Sequence, residues 1–423
     1  MRGGVIAGTP RARHLVERAL TLIGAPSPFE HGDPNVSLQQ TTAESDRAVT
    51  VETVPHLDLP PFGRFFLPGP TEVRPEVLDA MVKPVIGHRG PDMNALMGGL
   101  ETGLSYLFRT DRPVYVSTSS ATGMMEAAIT NLSRRRVLCL VCGAFSERFH
   151  TIAADTGHAA DRMDVEWGEP NLPERVAGKL AEANGRYDLV TIVHSETSTG
   201  VLNPIAAIAE VIGEFDDVLL AVDGVTSVAG VPLLFDEWKL DFVVTGSQKA
   251  LALPPGLALA VASERALERA RQVEDRGYYF DLLKFEQNTV KRQTPNTPAV
   301  SLFYALAYQL HRIRDEGLDA RWGRHQQMAE RTWEWVDEMA EQSGEPFRVL
   351  SPAGYRSPTV TAVALPDGFD GSQVVAALRE RDYTIANGYG KLKGRTIRIG
   401  HMGDHTVQEL EDLLEQITEV MLG

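Results

Sequence analysis

Six short apolar runs constrain this chain more than any other feature. They are a strand at Val114–Ser117, one at Val137–Val141, then YDLVTIVH, VLLAVD, DFVVTGS and LALAVAS, the last four ending at His194, Asp223, Ser247 and Ser263. Each is bounded by turn residues and lacks the apolar–polar alternation of a strand with one wet face. Such runs predict strands buried on both sides, hence a mostly parallel sheet between helical layers. The segments between them carry helical spacing, over Asn94–Phe108 (Leu96, Met97, Leu100, Leu104, Leu107), Gly123–Leu132 and Phe145–Asp155. The expected fold class is therefore α/β.

Two long helical patterns follow, Ala299–Glu316 and Gln326–Gln342, and then the rhythm changes. Strand TVTAVAL, helix SQVVAALRER, strand TIRIG and helix TVQELEDLLEQITEV predict a smaller α+β C-terminal domain. The reading gives a large domain over 61–310 and a small one over 311–423. Residues 1–60 differ from both: an amphipathic RARHLVERALTLIG, the polar HGDPNVSLQQTTAESDR and then a proline-rich stretch. They read as an N-terminal tail, partly disordered or draped over the body.

Composition excludes some functions. Over 423 residues the net charge is −16, with no basic stripe beyond Arg134–Arg136, which argues against nucleic-acid or anionic-membrane partners. No stretch approaches the ~20 apolar residues of a membrane span, and the start MRGGVIAG lacks a secretory pattern. Cys139 and Cys142 have redox or zinc spacing, but on a strand residues three apart face opposite sides, so packing is the expected role and no metal site is assigned. Two unpaired thiols imply a reducing, cytoplasmic compartment.

Open α/β sheets bind ligands beyond the carboxyl ends of their strands, so the residues just after each apolar run carry the most information. Asp223 follows VLLAV, and Gly246-Ser247-Gln248-Lys249 follows DFVVT. Alone, the aspartate equally fits a salt bridge or a helix cap. Lys249 sits in an apolar setting, where its ammonium loses solvation and the amine becomes nucleophilic, as a Schiff-base lysine requires. SSATG, Ser119–Gly123, opens a helix after a strand and offers free amides to an anion, although many such starts are only caps. HSETSTG, His194–Gly200, offers hydroxyls to a ligand or merely organises a turn, and His194 reads as a satisfied core histidine.

The order SSATG, HSETSTG, VDGVTS, GSQKA, RIG resembles the class V branch of the fold-type I pyridoxal-phosphate aminotransferases. Within it the chain is most similar to alanine–glyoxylate, serine–pyruvate and serine–glyoxylate transaminases, from FLPGPTEV near Phe66 to the C-terminus. The resemblance implies pyridoxal 5'-phosphate as cofactor, held as a Schiff base on Lys249, which then serves as base of a 1,3-proton shift. Asp223 would pair with the ring nitrogen and Phe145 would stack on the ring. Ser198 would bond the phenolic oxygen, and Ser120, Ala121 and Thr122 with Gln248 would cradle the phosphate. Arg398 would fork onto the substrate carboxylate. The resemblance further implies a homodimer with shared active sites, in which Thr294 and Thr297 of QTPNTP reach the partner's phosphate. Gly87, His88 and Arg89 fall where relatives line the substrate pocket. An HR pair also occurs in phosphoserine transaminases, and Arg89 equally fits an interface salt bridge. The expected reaction moves the amino group of alanine or serine to glyoxylate or pyruvate. The alternatives are a phosphoserine transaminase, another class V lyase or hydrolase, and, outside the class, a lysine aldolase or a binding scaffold.

Overall fold

The computed structural model describes residues 61–423, so the expected 1–60 tail lies outside the described residues. Nine strands precede the small sheet: Val114–Ser117 (β1), Val137–Val141 (β2), Ala160–Asp164 (β3), Leu189–Val193 (β4), the short pair Ser195–Glu196 (β5) and Val201–Leu202 (β6), Leu219–Asp223 (β7), Phe242–Gly246 (β8) and Ala258–Ala262 (β9). Seven of them form one sheet in the order β1-β9-β8-β7-β4-β2-β3. The sheet is mostly parallel, as the unbroken apolar runs predict. β9 runs against both its neighbours. β3 was not anticipated, because its ADRMD sequence lies at a partly exposed edge and carries charge, a common protection for an edge strand.

Alternate residues along these strands feed two separate cores. Leu138, Leu140, Val190, Ile192, Leu220 and Val222 belong to one. Val137, Cys139, Val141, Leu189, Leu219 and Ala221 belong to the other. Each fully buried aliphatic side chain stabilises the fold by roughly 1.5–3 kcal/mol, so the strands are held from both faces and their ends are fixed in space. Cys139 packs in the second core, while Cys142 lies past the strand end, with its sulfur accepting from Asn203 Nδ2 at 3.3 Å. The Arg134–Arg136 run forms the loop before β2, where its three amides donate to the buried Asp188 carboxylate.

The helices follow their predicted spans closely: Pro91–Phe108, Ala121–Leu132, Ala144–Asp155, Val300–Glu316 and Leu318–Ser343. The last begins eight residues before its expected start. A four-stranded antiparallel sheet follows, from Arg348–Val349 (β10), Thr361–Ala364 (β11), Ala386–Asn387 (β12) and Thr396–Ile399 (β13), in the order β10-β11-β13-β12. Its core takes Trp335 and Met339 from the long helix and Leu410, Leu413 and Ile417 from helix Val407–Leu422. Phe66 is buried there too, its amide donating to Thr384 O at 2.8 Å. The chain thus touches the small sheet before it enters the large one, which carries the segment Pro68–Thr71 past the carboxyl ends of the parallel strands.

Candidate active site

Asp223 ends β7, and Gly246 ends its parallel neighbour β8, so Asp223 and the loop bearing Lys249 emerge side by side. Both side chains line one cavity. Asp223 is 4% exposed, and its Oδ1 accepts from Val225 N at 2.8 Å, the one hydrogen bond its carboxylate makes among the described residues. Burial raises its pKa to about 6. Lys249 is 8% exposed, and burial, followed by the Arg398 charge, lowers its pKa to about 8. Its Nζ donates to the Pro68 carbonyl.

The loop that carries this amine is tied at three successive carbonyls. Thr71 N donates to Gln248 O at 2.9 Å, Thr71 Oγ1 to Lys249 O at 2.9 Å, and the buried Arg321 to Ala250 O at 2.8 Å. Gly69 crosses directly over the lysine with φ +122°, and a Cβ there would lie 2.2 Å from Nζ. Only glycine permits both that conformation and that approach.

Helix Ala121–Leu132 aims its N-terminus at the same cavity, with Ser120, Ala121 and Thr122 in the wall. Ser120 makes no capping bond to the helix, and among the described residues no acceptor takes the Ala121 or Thr122 amide. Free amides at a helix start are an anion site. Gln248 lines the cavity beside them. Together with Asp223, whose second oxygen is free to meet a cationic nitrogen, these groups fit a phosphorylated pyridine aldehyde. The observation behind the fit is this pairing of an unsatisfied helix start with a buried, unpaired carboxylate.

Phe145 forms one wall, its ring centroid 5.8 Å from Lys249 Nζ. Ser198 sits elsewhere than expected. It is fully buried, its hydroxyl donating to Glu196 Oε1 at 2.6 Å and accepting from Ala144 N at 3.0 Å. Thr197, one residue earlier, lines the cavity, its hydroxyl 2.6 Å from that of Thr226. The correction has a local cause: Glu196 is fully buried and gathers the Phe145 amide (3.2 Å), the Ser146 amide (2.8 Å) and the Ser198 hydroxyl, which turns Ser198 away. Glu196 therefore anchors the helix that presents Phe145, a role the sequence did not signal. His194 is buried, outside the cavity wall, and driven down to about 3 by burial.

Arg398, on β13, reaches in from the small sheet. It is 7% exposed, with Nε donating to Asn387 O at 2.9 Å and a terminal nitrogen to Thr197 O at 3.3 Å. Burial lowers its pKa to about 10, and no carboxylate lies within ion-pair distance among the described residues. Arg148, which also lines the cavity, went unremarked in the sequence.

Gly87, His88, Arg89, Thr294 and Thr297 do not line the Lys249 cavity within one chain. Arg89 instead holds the 293–295 loop, donating to Thr294 O at 2.6 Å and Pro295 O at 3.2 Å. Thr294 and Thr297 border a separate crevice with Thr118 and Tyr279. The two segments are thus brought to each other rather than to the lysine of their own chain.

Comparison with known proteins shows the family. Residues 65–420 match the family described as aminotransferase class-V. An uncharacterized aminotransferase of Methanocaldococcus jannaschii is 40% identical, over 80% of this chain and 87% of its own. An L-aspartate–glyoxylate aminotransferase of Paracoccus denitrificans and a serine–glyoxylate aminotransferase of Methylorubrum extorquens are each 33% identical. They cover 81% and 80% of this chain and 86% of each relative. The solved alanine–glyoxylate aminotransferase of Nostoc superposes with a TM-score of 0.80 at 30% identity, covering 90% of this chain and all of that one.

Proposed function

The chain belongs to the class-V aminotransferase family, a pyridoxal-phosphate-dependent transferase, and we propose that it moves the amino group of alanine or serine to glyoxylate or pyruvate through Lys249. When bound, pyridoxal phosphate supplies the aldehyde that receives the amino group and a conjugated ring that draws electrons from the donor's Cα. Lys249 would hold that group covalently and move the Cα proton. With a pKa of about 8, a useful fraction of its amine is unprotonated near neutrality. Asp223 would keep a proton on the ring nitrogen. At an effective dielectric near 20 that ion pair is worth on the order of 4 kcal/mol, about three pK units. Ser120, Ala121, Thr122 and Gln248 would hold the phosphate, with Thr197 and Phe145 available to the ring. Arg398 receives the donor carboxylate in a fork.

The observation that carries the proposal is one cavity joining a buried amine and a buried unpaired carboxylate, with an uncapped helix start in its wall. Homodimerisation belongs to the proposal as well. Arg89 holds the Thr294 loop, which shares a crevice with exposed Tyr279, and across a two-fold axis this loop would reach the partner's phosphate.

The test is a half-reaction. Visible absorbance of the purified holoenzyme should bleach on adding L-alanine or L-serine and return on adding glyoxylate, and Lys249→Ala should show neither change. A clear preference for phosphoserine would overturn the donor class, and a colourless protein that never takes up the cofactor would overturn the Schiff-base reading. A desulfurase reading is disfavoured because both cysteines are buried and held well up, to about 11 and 12, by that burial.

A further inference from the structure

We propose that Tyr389 is the wall that restricts the amino donor to a small side chain. The proposal rests on the transaminase reading above and names what limits its substrate.

Tyr389 stands on the loop between β12 and β13, where its ring meets two of the site's binding groups. Its centroid is 5.5 Å from that of Phe145, and the Arg398 guanidinium carbon lies 5.5 Å from it. A donor whose carboxylate sits on Arg398 and whose amino group faces Lys249 has two Cα substituents fixed. Its side chain is then left to the rim where Tyr389 stands.

The loop is built as a fixture. Gly388 N donates to Thr396 O at 2.8 Å, Gly394 N to Asn387 Oδ1 at 2.9 Å, and Asn387 O accepts from Arg398 itself. Lys391 Nζ lies 4.6 Å from the Trp167 ring centroid and pins the loop to the large domain. Gly388 approaches so closely that a Cβ would fall 2.1 Å from Leu392 O. With its hydroxyl making no hydrogen bond among the described residues, what Tyr389 contributes here is ring area.

On the far side of Tyr389 lies an open cavity of about 710 Å³, walled by Tyr389, Arg148, Thr151, Trp167 and Lys391. Arg148 borders both this space and the Lys249 cavity, so the two adjoin at the Phe145–Tyr389 contact. Removing the phenol ring would open the catalytic cavity into the outer one, and a longer donor side chain would then have room.

The experiment compares wild type, Tyr389→Phe and Tyr389→Ala holoenzymes in the half-reaction with L-alanine, L-norvaline and L-leucine. The position is 42% exposed, so the alanine variant should fold. Tyr389→Ala should raise the efficiency with norvaline relative to alanine on the order of tenfold or more, the scale at which a hydrophobic site discriminates methylenes. The gain should fall mainly in half-saturating concentration, and Tyr389→Phe should keep the wild-type ratio. An unchanged ratio in Tyr389→Ala, with alanine still reactive in wild type, overturns the wall and leaves the transaminase reading standing. A Tyr389→Phe ratio shifted as far as that of Tyr389→Ala also overturns it, because the hydroxyl would then be the determinant. A wild-type holoenzyme that responds to no amino acid sinks both.

Discussion

Replacing Gly69 by alanine adds one methyl group directly over the proposed nucleophile. At φ +122° an L side chain is strained by roughly 1–3 kcal/mol. The new Cβ would lie 2.2, 2.4 and 2.5 Å from Lys249 Nζ, Cε and Cδ, where carbon contacts settle near ~3.5 Å. The flexible end of the lysine must therefore retreat by about 1 Å, giving up its bond to Pro68 O, and a misplacement of that size at a reacting group can cost ~10²-fold. The backbone ties through Thr71 are untouched, so Gly69→Ala should fold with a modest loss of thermal midpoint. Stopped-flow absorbance should show the alanine half-reaction slowed about a hundredfold, and borohydride reduction followed by peptide mass mapping should recover less cofactor on Lys249. If Gly69→Ala traps cofactor and turns over as wild type does, the lysine is not held by this contact and the reasoning fails.

Other consequences follow from the charges and the register. Arg398→Ala removes both the carboxylate fork and a positive charge that lowers the Lys249 pKa, so donor half-saturation should rise steeply and that pKa should climb back toward 10.5. The acid limb of the half-reaction profile, where the Lys249 amine loses its proton, should then move to higher pH, and an unmoved limb would show that burial alone sets the value. Thr197→Val should shift the holoenzyme absorbance with little loss of stability. Ser198→Ala should do the reverse, costing about 1–3 kcal/mol as a buried Glu196 oxygen loses a donor while the spectrum stays put. His401 and His405 are held neutral, chiefly by burial, at about 4 against an ordinary 6.5. Between those values the unfolded chain binds more protons, so their stabilisation is complete above 6.5 and is lost as pH falls toward 4, at about 1.4 kcal/mol per unit for each ring. Asp223, raised to about 6, opposes this with the reverse sign, and urea midpoints measured across that interval should fall on acidification.

The sheet was legible because burial on two faces leaves a plain trace: strands such as LVTIV carry aliphatic side chains toward both sides of the layer, with Thr191 their single hydroxyl. β3 escaped because an edge strand meets solvent and is allowed Asp161, Arg162 and Asp164. The two-residue strands β10 and β12 escaped because pairing so short depends on what lies across the sheet and leaves no period in the chain. The early entry of Phe66 into the small domain's core was equally hidden, since the pair Phe65-Phe66 ahead of Leu67 and Pro68 says nothing about which of two cores will take it.

Within the site, legibility tracked how far each side chain's direction is fixed by its own element. Asp223 and Lys249 sit at the end of one strand and just past the end of its neighbour, so the parallel register alone sends both to one cavity. HSETSTG leaves β4 through a tight two-residue strand and a turn. There a one-residue slip exchanges a hydroxyl facing the cavity for one facing the protein, and the exchange between Ser198 and Thr197 is such a slip. The buried Glu196 decides it, because a carboxylate fully removed from water must gather its donors, and the amide and hydroxyl of Ser198, the amide and hydroxyl of Ser146 and the amide of Phe145 all donate to it. Gly69 and Tyr389 were invisible for a further reason: each acts by where it stands against a residue 180 or more than 240 positions away in the chain, and such contacts exist only once the two sheets have been brought together.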